Sequence, residues 1–150
     1  MSKVIIVYDS QFGNTEKVAQ SLAKGLETGG ITPNLVRASD NVVHQLQEYD
    51  ALFVGCPTHA WRPSKLVKEF LEALDDSSVK GKKAFAFDTK YSSRFAGSAA
   101  KHIEKALSKQ GAEIIRERAS AIVEGNEGPL AAGTEDQFMR IGSEIATLLQ

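Results

Sequence analysis

Thiols are the first thing this chain lacks: Cys56 is its one cysteine. That excludes an internal disulfide and any zinc or iron–sulfur site built from several cysteines. Long hydrophobic runs are also missing. Nothing approaches about 18 consecutive apolar residues, so no membrane span is expected. No internal repeat, low-complexity tract or interdomain linker interrupts the sequence. The first residues enter a strand-like run without a basic leader or a small-residue cleavage site, and a cytoplasmic location is expected. What is present is ordinary for a globular protein, with 42% hydrophobic and 25% charged residues in a chain of 150. Residues 1–150 are the size of one domain, able to bury roughly 68–70% of its extended surface.

Charge of one sign is absent as well, since the net charge is −1. Its distribution carries more information than its sum. Residues 1–50 and 101–150 are each net −2, whereas residues 51–100 are net +3. A mildly basic middle third favours an anionic ligand or partner. It falls far short of the dense Lys/Arg stripe of a nucleic-acid binder, and no nucleic-acid partner is expected.

Strand and helix patterns alternate along the chain. Residues 3–8 read KVIIVY, a β-branched run that suits a strand buried on both faces. Residues 14–27 repeat apolar side chains at Val18, Leu22 and Leu26, a helical period that Gly29 and Gly30 stop. Residues 31–37 predict a weaker strand, placed at an edge or opened by Pro33, which lacks a ladder donor. Asp40 is positioned to cap a short helix through Leu46. Residues 51–56 (ALFVGC) predict a second buried strand. Pro63 and Ser64 then open a helix with an apolar face of Leu66, Val67, Phe70, Leu71 and Leu74. Residues 83–88 predict a further central strand, and residues 97–109 a helix with Ala99, Ala100, Ile103 and Leu107 on one side. Residues 113–123 contain the last strand, either one piece or two pieces broken near residues 116–118. Thr134, with Gln137 as a capping-box partner, starts a helix that carries Phe138, Ile141, Ile145 and Leu148. Five strands alternating with five helices imply an α/β fold, a three-layer α/β/α sandwich around a five-stranded parallel sheet. In such a sheet the ligand crevice lies beyond the carboxyl ends of the strands, at the loops after Tyr8, Cys56 and Asp88.

The first of these loops is suited to an anion. Ser10, Gln11, Phe12, Gly13, Asn14 and Thr15 surround a helix N-terminus with hydroxyl and amide groups and one glycine. Backbone N–H groups there can cradle a phosphate without any Lys or Arg. The same residues also suit a plain polar turn capped by Asn14 or Ser10. The spacing matches neither the GxxxxGK[ST] loop nor the GxGxxG turn. In the second loop, Pro57, Thr58, His59, Ala60 and Trp61 bring the only tryptophan to the ligand side, where an indole can wall a flat aromatic ligand. The third loop, with Asp88, Thr89, Lys90 and Tyr91, brings a tyrosine to the same end.

Other chemistries fit less well. Arg62 follows Cys56 at C-x5-R spacing, which a cysteine phosphatase or arsenate reductase uses to pair a thiolate with an anion-binding arginine. Pro57 deletes the first N–H of that cradle, and no glycine bends the loop; Cys56 reads instead as a small buried residue. A phospho-acceptor receiver domain shares the architecture, yet its acceptor Asp is missing after residues 51–56. His44 and His59 have no third ligand in reach, so no metal site is expected.

Together these motifs resemble the flavodoxin-like family, in particular its short-chain, free-standing members. The residues of positions 10–15 match the family's S/T-x-x-G-x-T phosphate loop. Pro57 and Thr58 fall where its second flavin loop begins, and Asp88 and Tyr91 keep the spacing of its third. The resemblance covers essentially the whole chain and implies the strand order 2-1-3-4-5. It implies FMN as cofactor, with Ser10, Phe12, Asn14 and Thr15 on the phosphate, the loop from Thr58 to Trp61 against the ring, and Asp88 and Tyr91 flanking its other side. Backbone of residues 57–60 would contact the flavin N5. By the same resemblance the protein is an electron carrier cycling FMN between oxidised, semiquinone and hydroquinone states for a redox partner. No acid, base or nucleophile is then required, and no catalytic residue is assigned. The alternative inside the fold is an FMN-dependent NAD(P)H:quinone or small-acceptor reductase, for which residues 124–133 are the candidate insertion. Electron-carrying flavodoxins are strongly acidic, whereas here Arg62, Lys90 and Arg94 lie in or beside the flavin loops. That departure points to a partner with an acidic docking face, or to a quinone or nicotinamide nucleotide as substrate.

Overall fold

Strand β1 (Val4–Tyr8) lies inside the sheet, buried at all five positions. The computed structural model in which it is seen describes residues 2–92 and 97–150. β1 pairs in parallel with β2 (Asn34–Arg37) on one side and with β3 (Ala51–His59) on the other. Its side chains divide by parity. Val4, Ile6 and Tyr8 enter one core, while Ile5 and Val7 enter the other, which is why the run shows no polar alternation. Beyond β3 lies β5 (Lys83–Lys90), again parallel, and along its far edge run β6 (Glu113–Ile114) and β7 (Ala119–Ile122). The order is therefore β2-β1-β3-β5, followed by one strand position split into two pieces. Numbered without the split, this is the expected 2-1-3-4-5 order.

The split has a local cause. Between β6 and β7, the backbone N–H of Arg118 donates to Glu104 Oε2 at 3.0 Å instead of to the sheet. The Arg116 side chain is tied to Glu144 at 2.9 Å. Side-chain partners thus satisfy the chain where it leaves the ladder.

Helices α1 (Asn14–Thr28) and α5 (Thr134–Leu148) cover one face. The 3-10 helix Asp40–Glu48, α2 (Lys65–Ala73) and α4 (Ala99–Lys109) cover the other. α1 and α5 meet backbone to backbone at two glycines. A Cβ on Gly25 would stand 2.0 Å from Met139 O, and one on Gly142 2.2 Å from Leu22 O. Only glycine permits that approach.

Several boundaries differ from the sequence expectation. β2 begins at Asn34, so Pro33 precedes the ladder, although the strand does occupy an edge. The N-cap of the 3-10 helix is Ser39, one residue before Asp40. Leu66 is exposed because α2 buries a narrower stripe, Val67 and Phe70. A four-residue helix, α3 (Asp76–Val79), follows, capped by Asp75 through the N–H groups of Ser77 and Ser78. The N-cap of α5 is Gly133, with no side-chain cap, so Thr134 and Gln137 form no capping box. At its other end Leu148 faces solvent and Leu149 takes the buried place. β3 and β5 each run further than expected, to His59 and Lys90. Residues expected in loops thereby ride on the ends of rigid strands. Between β3 and α2 a short strand, β4 (Arg62–Pro63), turns back on β3.

Candidate functional site

The carboxyl ends of β1, β3 and β5 open on one cavity of about 500 Å³. Of the residues expected there, all but Gly13 and Asp88 line it; Val123 and Asn126 are additional. Ser93 and Arg94 lie outside the described residues.

The first wall is the turn from β1 into α1. Gly13 is the helix N-cap and is left-handed, at φ 89°, a conformation that costs glycine little. It has no side chain with which to cap the first turn of α1 itself. Of Asn14 and Ser10, it is Ser10 that caps: its Oγ accepts from Glu16 N, in the first turn of α1, at 3.3 Å, whereas Asn14 Nδ2 donates to Glu127 O at 3.1 Å. Thr15 Oγ1 lies 3.0 Å from Thr89 Oγ1. A cation braces this turn from behind: Arg37 Nη1 donates to Ser10 O at 3.1 Å and reaches Asp9 Oδ1 at 3.5 Å. Sequence spacing had no means of bringing Arg37, at the end of β2, to that loop. Tyr8 sits alongside, its hydroxyl donating to Glu16 Oε2 at 2.9 Å. Burial, then the Glu16 carboxylate, raises the Tyr8 pKa.

The second wall is a β-hairpin where a loop was expected. β3 and β4 pair antiparallel, Thr58 opposite Pro63 and His59 opposite Arg62. Ala60 and Trp61 form the two-residue turn, both left-handed, at φ 47° and 73°. Such turns ordinarily carry Asn-Gly, and left-handed backbone costs other residues roughly 1–2 kcal/mol each. The hairpin is held from outside its own sequence. Trp61 bridges Gly97, where a Cβ would meet the indole side chain at 2.5 Å.

Asp88 does not flank the cavity; it is fully buried under the hairpin's base. Its Oδ2 accepts from Thr58 Oγ1 at 3.2 Å, Ser98 Oγ at 2.7 Å and Ala100 N at 3.0 Å. Thr58 Oγ1 in turn accepts from Ala99 N at 2.9 Å. The expectation that Asp88 contacts a ring is corrected: its carboxylate meets the start of α4, where backbone N–H groups and the helix dipole favour an anion. The other oxygen, Oδ1, is buried without a hydrogen-bond partner among the described residues.

Tyr91, just past β5, is 45% exposed, and Trp61 is 60% exposed. Tyr91 OH donates to Asn126 Oδ1 at 3.2 Å. Asn126 belongs to a further wall, the loop after β7, which folds back through Ala131 N to Ile122 O at 2.8 Å. Gly128 approaches Asn14 so closely that a Cβ would lie 2.8 Å from Oδ1. Residues 124–133 therefore close the cavity against the first wall. The signal available for this wall was topological: β7 ends on the same side as the other strands.

The rival thiol chemistry is not supported by the geometry. Cys56 is fully buried in β3, and burial pushes its thiol up to about 12. A neutral buried thiol is no nucleophile. Among the described residues, no group of three or more His, Cys, Asp or Glu is placed to hold a metal ion. No helix among them is long and apolar enough to cross a membrane.

Residues 6–140 match the family model described as Flavodoxin. The chain is 33% identical to a flavodoxin of Maridesulfovibrio salexigens, covering 97% of this chain and 98% of that protein. It is 28% identical to an NAD(P)H dehydrogenase (quinone) of Acidovorax ebreus over 68% of this chain, spanning 59% of that protein's length. The oxidised flavodoxin 1 of Bacillus cereus has the same fold, with a TM-score of 0.81, 21% identity and coverage of 99% of this chain and 100% of that one.

Proposed function

The chain belongs to the flavodoxin family, and from that membership we propose that it binds FMN in this cavity and passes electrons to a redox protein partner. One observation carries the reading. A helix N-terminus that opens on a glycine among neutral donors, and the exposed aromatics Phe12, Trp61 and Tyr91, face a single cavity of about 500 Å³. That volume is in the range of cofactor sites, and the two halves match an anion joined to a flat ring.

In this reading residues 1–150 act as one FMN-binding domain. Ser10, Gln11, Phe12, Gly13, Asn14 and Thr15 hold the phosphate through side chains or backbone. Pro57, Thr58, His59, Ala60 and Trp61 hold the ring from the hairpin, while Lys90 and Tyr91 hold it from the end of β5 and Thr89 lies behind Thr15. When bound, FMN supplies reversible one- and two-electron chemistry. The protein's own part is to seat the cofactor, keep water from one side of it, and leave another side open to a partner. Asp88 contributes by anchoring Thr58 instead of by contact. Exposed Arg62, with Lys90 in the cavity wall, places positive charge at the mouth and suits an acidic docking face.

The alternative is reduction of a quinone by a nicotinamide nucleotide. Of residues 124–133, Asn126 lines the same cavity, while Leu130, Ala131, Ala132 and Gly133 border a separate hollow of about 290 Å³ that shares no lining residue with it. A hollow detached from the flavin cavity brings no substrate to the ring, which favours the carrier. Purified protein should show a flavin spectrum or take up one FMN per chain, with slow NAD(P)H oxidation in the presence of quinone. Rapid turnover would decide for the reductase, and a protein that takes up no FMN would end both readings.

A further inference from the structure

Thr15 and Thr89 place two hydroxyls 3.0 Å apart inside the wall of the cavity. They come from different elements, α1 and β5, and are almost wholly buried, 1% and 4% exposed. Two hydroxyls at that distance share one hydrogen bond, which either can donate. The direction decides what Thr15 presents to the cavity. If Thr15 donates to Thr89, its oxygen offers only lone pairs to a ligand. If Thr89 donates, the Thr15 proton is free to point outward.

Surroundings favour the second direction whenever an anion is bound. Thr89 is fixed in the ladder between Pro57 of β3 and Ala121 of β7. Among the described residues its hydroxyl is bonded to Thr15 alone. Thr15 occupies the first turn of α1, at the positive end of the helix, where negative charge is favoured. A phosphate dianion carries acceptors only, so lone pairs aimed at it repel. A donor whose own oxygen accepts a bond is polarised into a stronger donor.

Resting on the reading of this cavity as an FMN phosphate site, we propose that Thr89 is a positioning residue that donates to Thr15 Oγ1 and thereby commits the Thr15 proton to the phosphate. The relay runs from Thr89 to Thr15 to the ligand oxygen. It makes the site selective for a terminal phosphate without a cationic side chain in the loop.

The test is titration of flavin-free protein with FMN and, separately, with riboflavin. Thr89→Val keeps the β-branched shape and removes the hydroxyl. It should weaken FMN several-fold, on the order of fivefold, and leave riboflavin within about twofold. Thr89→Ser should restore FMN binding. In a Thr15→Val background, Thr89→Val should add no further loss, because the relay is already cut. Wild-type FMN affinity in T89V, an equal loss for riboflavin, or additive losses in the double variant would each overturn the proposal. Should the unaltered protein bind riboflavin as tightly as FMN, the phosphate reading itself fails and takes the relay with it.

Discussion

Thr58 Oγ1 donates to Asp88 Oδ2 across 3.2 Å, tying the tip of β3 to a fully buried carboxylate on β5. Because Ser98 Oγ and Ala100 N donate to the same oxygen, one atom gathers the hairpin base, the start of α4 and the central sheet. The Asp88→Ala variant should lose about 1–3 kcal/mol of stability and the near-UV circular dichroism of the only tryptophan. Asp88→Asn keeps a carbonyl acceptor for the three donors and should retain most of both. Urea denaturation monitored at the tryptophan band distinguishes them; if D88A keeps that band, Asp88 does not seat the hairpin.

The Ala60-Trp61 turn stores backbone strain that glycine would release. Ala60→Gly should stabilise the protein by about 0.5–1 kcal/mol, the left-handed cost at φ 47° less the added entropy of the unfolded chain. A raised urea midpoint at unchanged m-value is the expected result.

Neutral donors at the first wall should distinguish a phosphate from its absence. Ser10→Ala combined with Thr15→Ala should weaken FMN by roughly tenfold or more while riboflavin changes little. Equal losses for both ligands would place the anion elsewhere.

Lys90 lines the cavity, and a positive charge there favours a negatively charged reduced cofactor. Lys90→Glu should lower the midpoint potential for the second electron, on the order of 50 mV at low salt. Spectroelectrochemical titration of the two proteins measures it; an unchanged value removes Lys90 from the account.

Cys56 has a sign-defined pH effect. Its ordinary pKa of 9.0 is raised in the folded protein to about 12, because burial disfavours the thiolate. Above the ordinary value the unfolded chain ionises and the folded one does not. The stability this thiol contributes is therefore complete below about pH 9 and is lost as pH rises through about 12. Subtracting the pH–stability curve of Cys56→Ala from that of the unaltered protein should show this loss. A disulfide reagent should leave the native thiol unmodified at pH 8.

Local pattern was enough for much of the architecture. The β-branched run of β1 identified a doubly buried strand, Pro33 marked an edge, and Gly13 among hydroxyl and amide residues marked the turn into α1. These features act within one element or one turn, where period and backbone conformation belong to the residues themselves. Partners distant in sequence decided the rest. Leu66 and Leu148 carry the chemistry of core residues but were left outside by the width of the buried stripe. Ala60 and Trp61 have no hairpin signature, because the turn is imposed by Gly97 and the Thr58–Asp88 bond. Nothing around Asp88 or Asn126 foretells that one is buried under the cavity and the other closes it. The chain alone determined its layers and the place where the cavity opens. Which side chains face that place depended on long-range packing, since a side chain's direction is settled by what meets it from other elements.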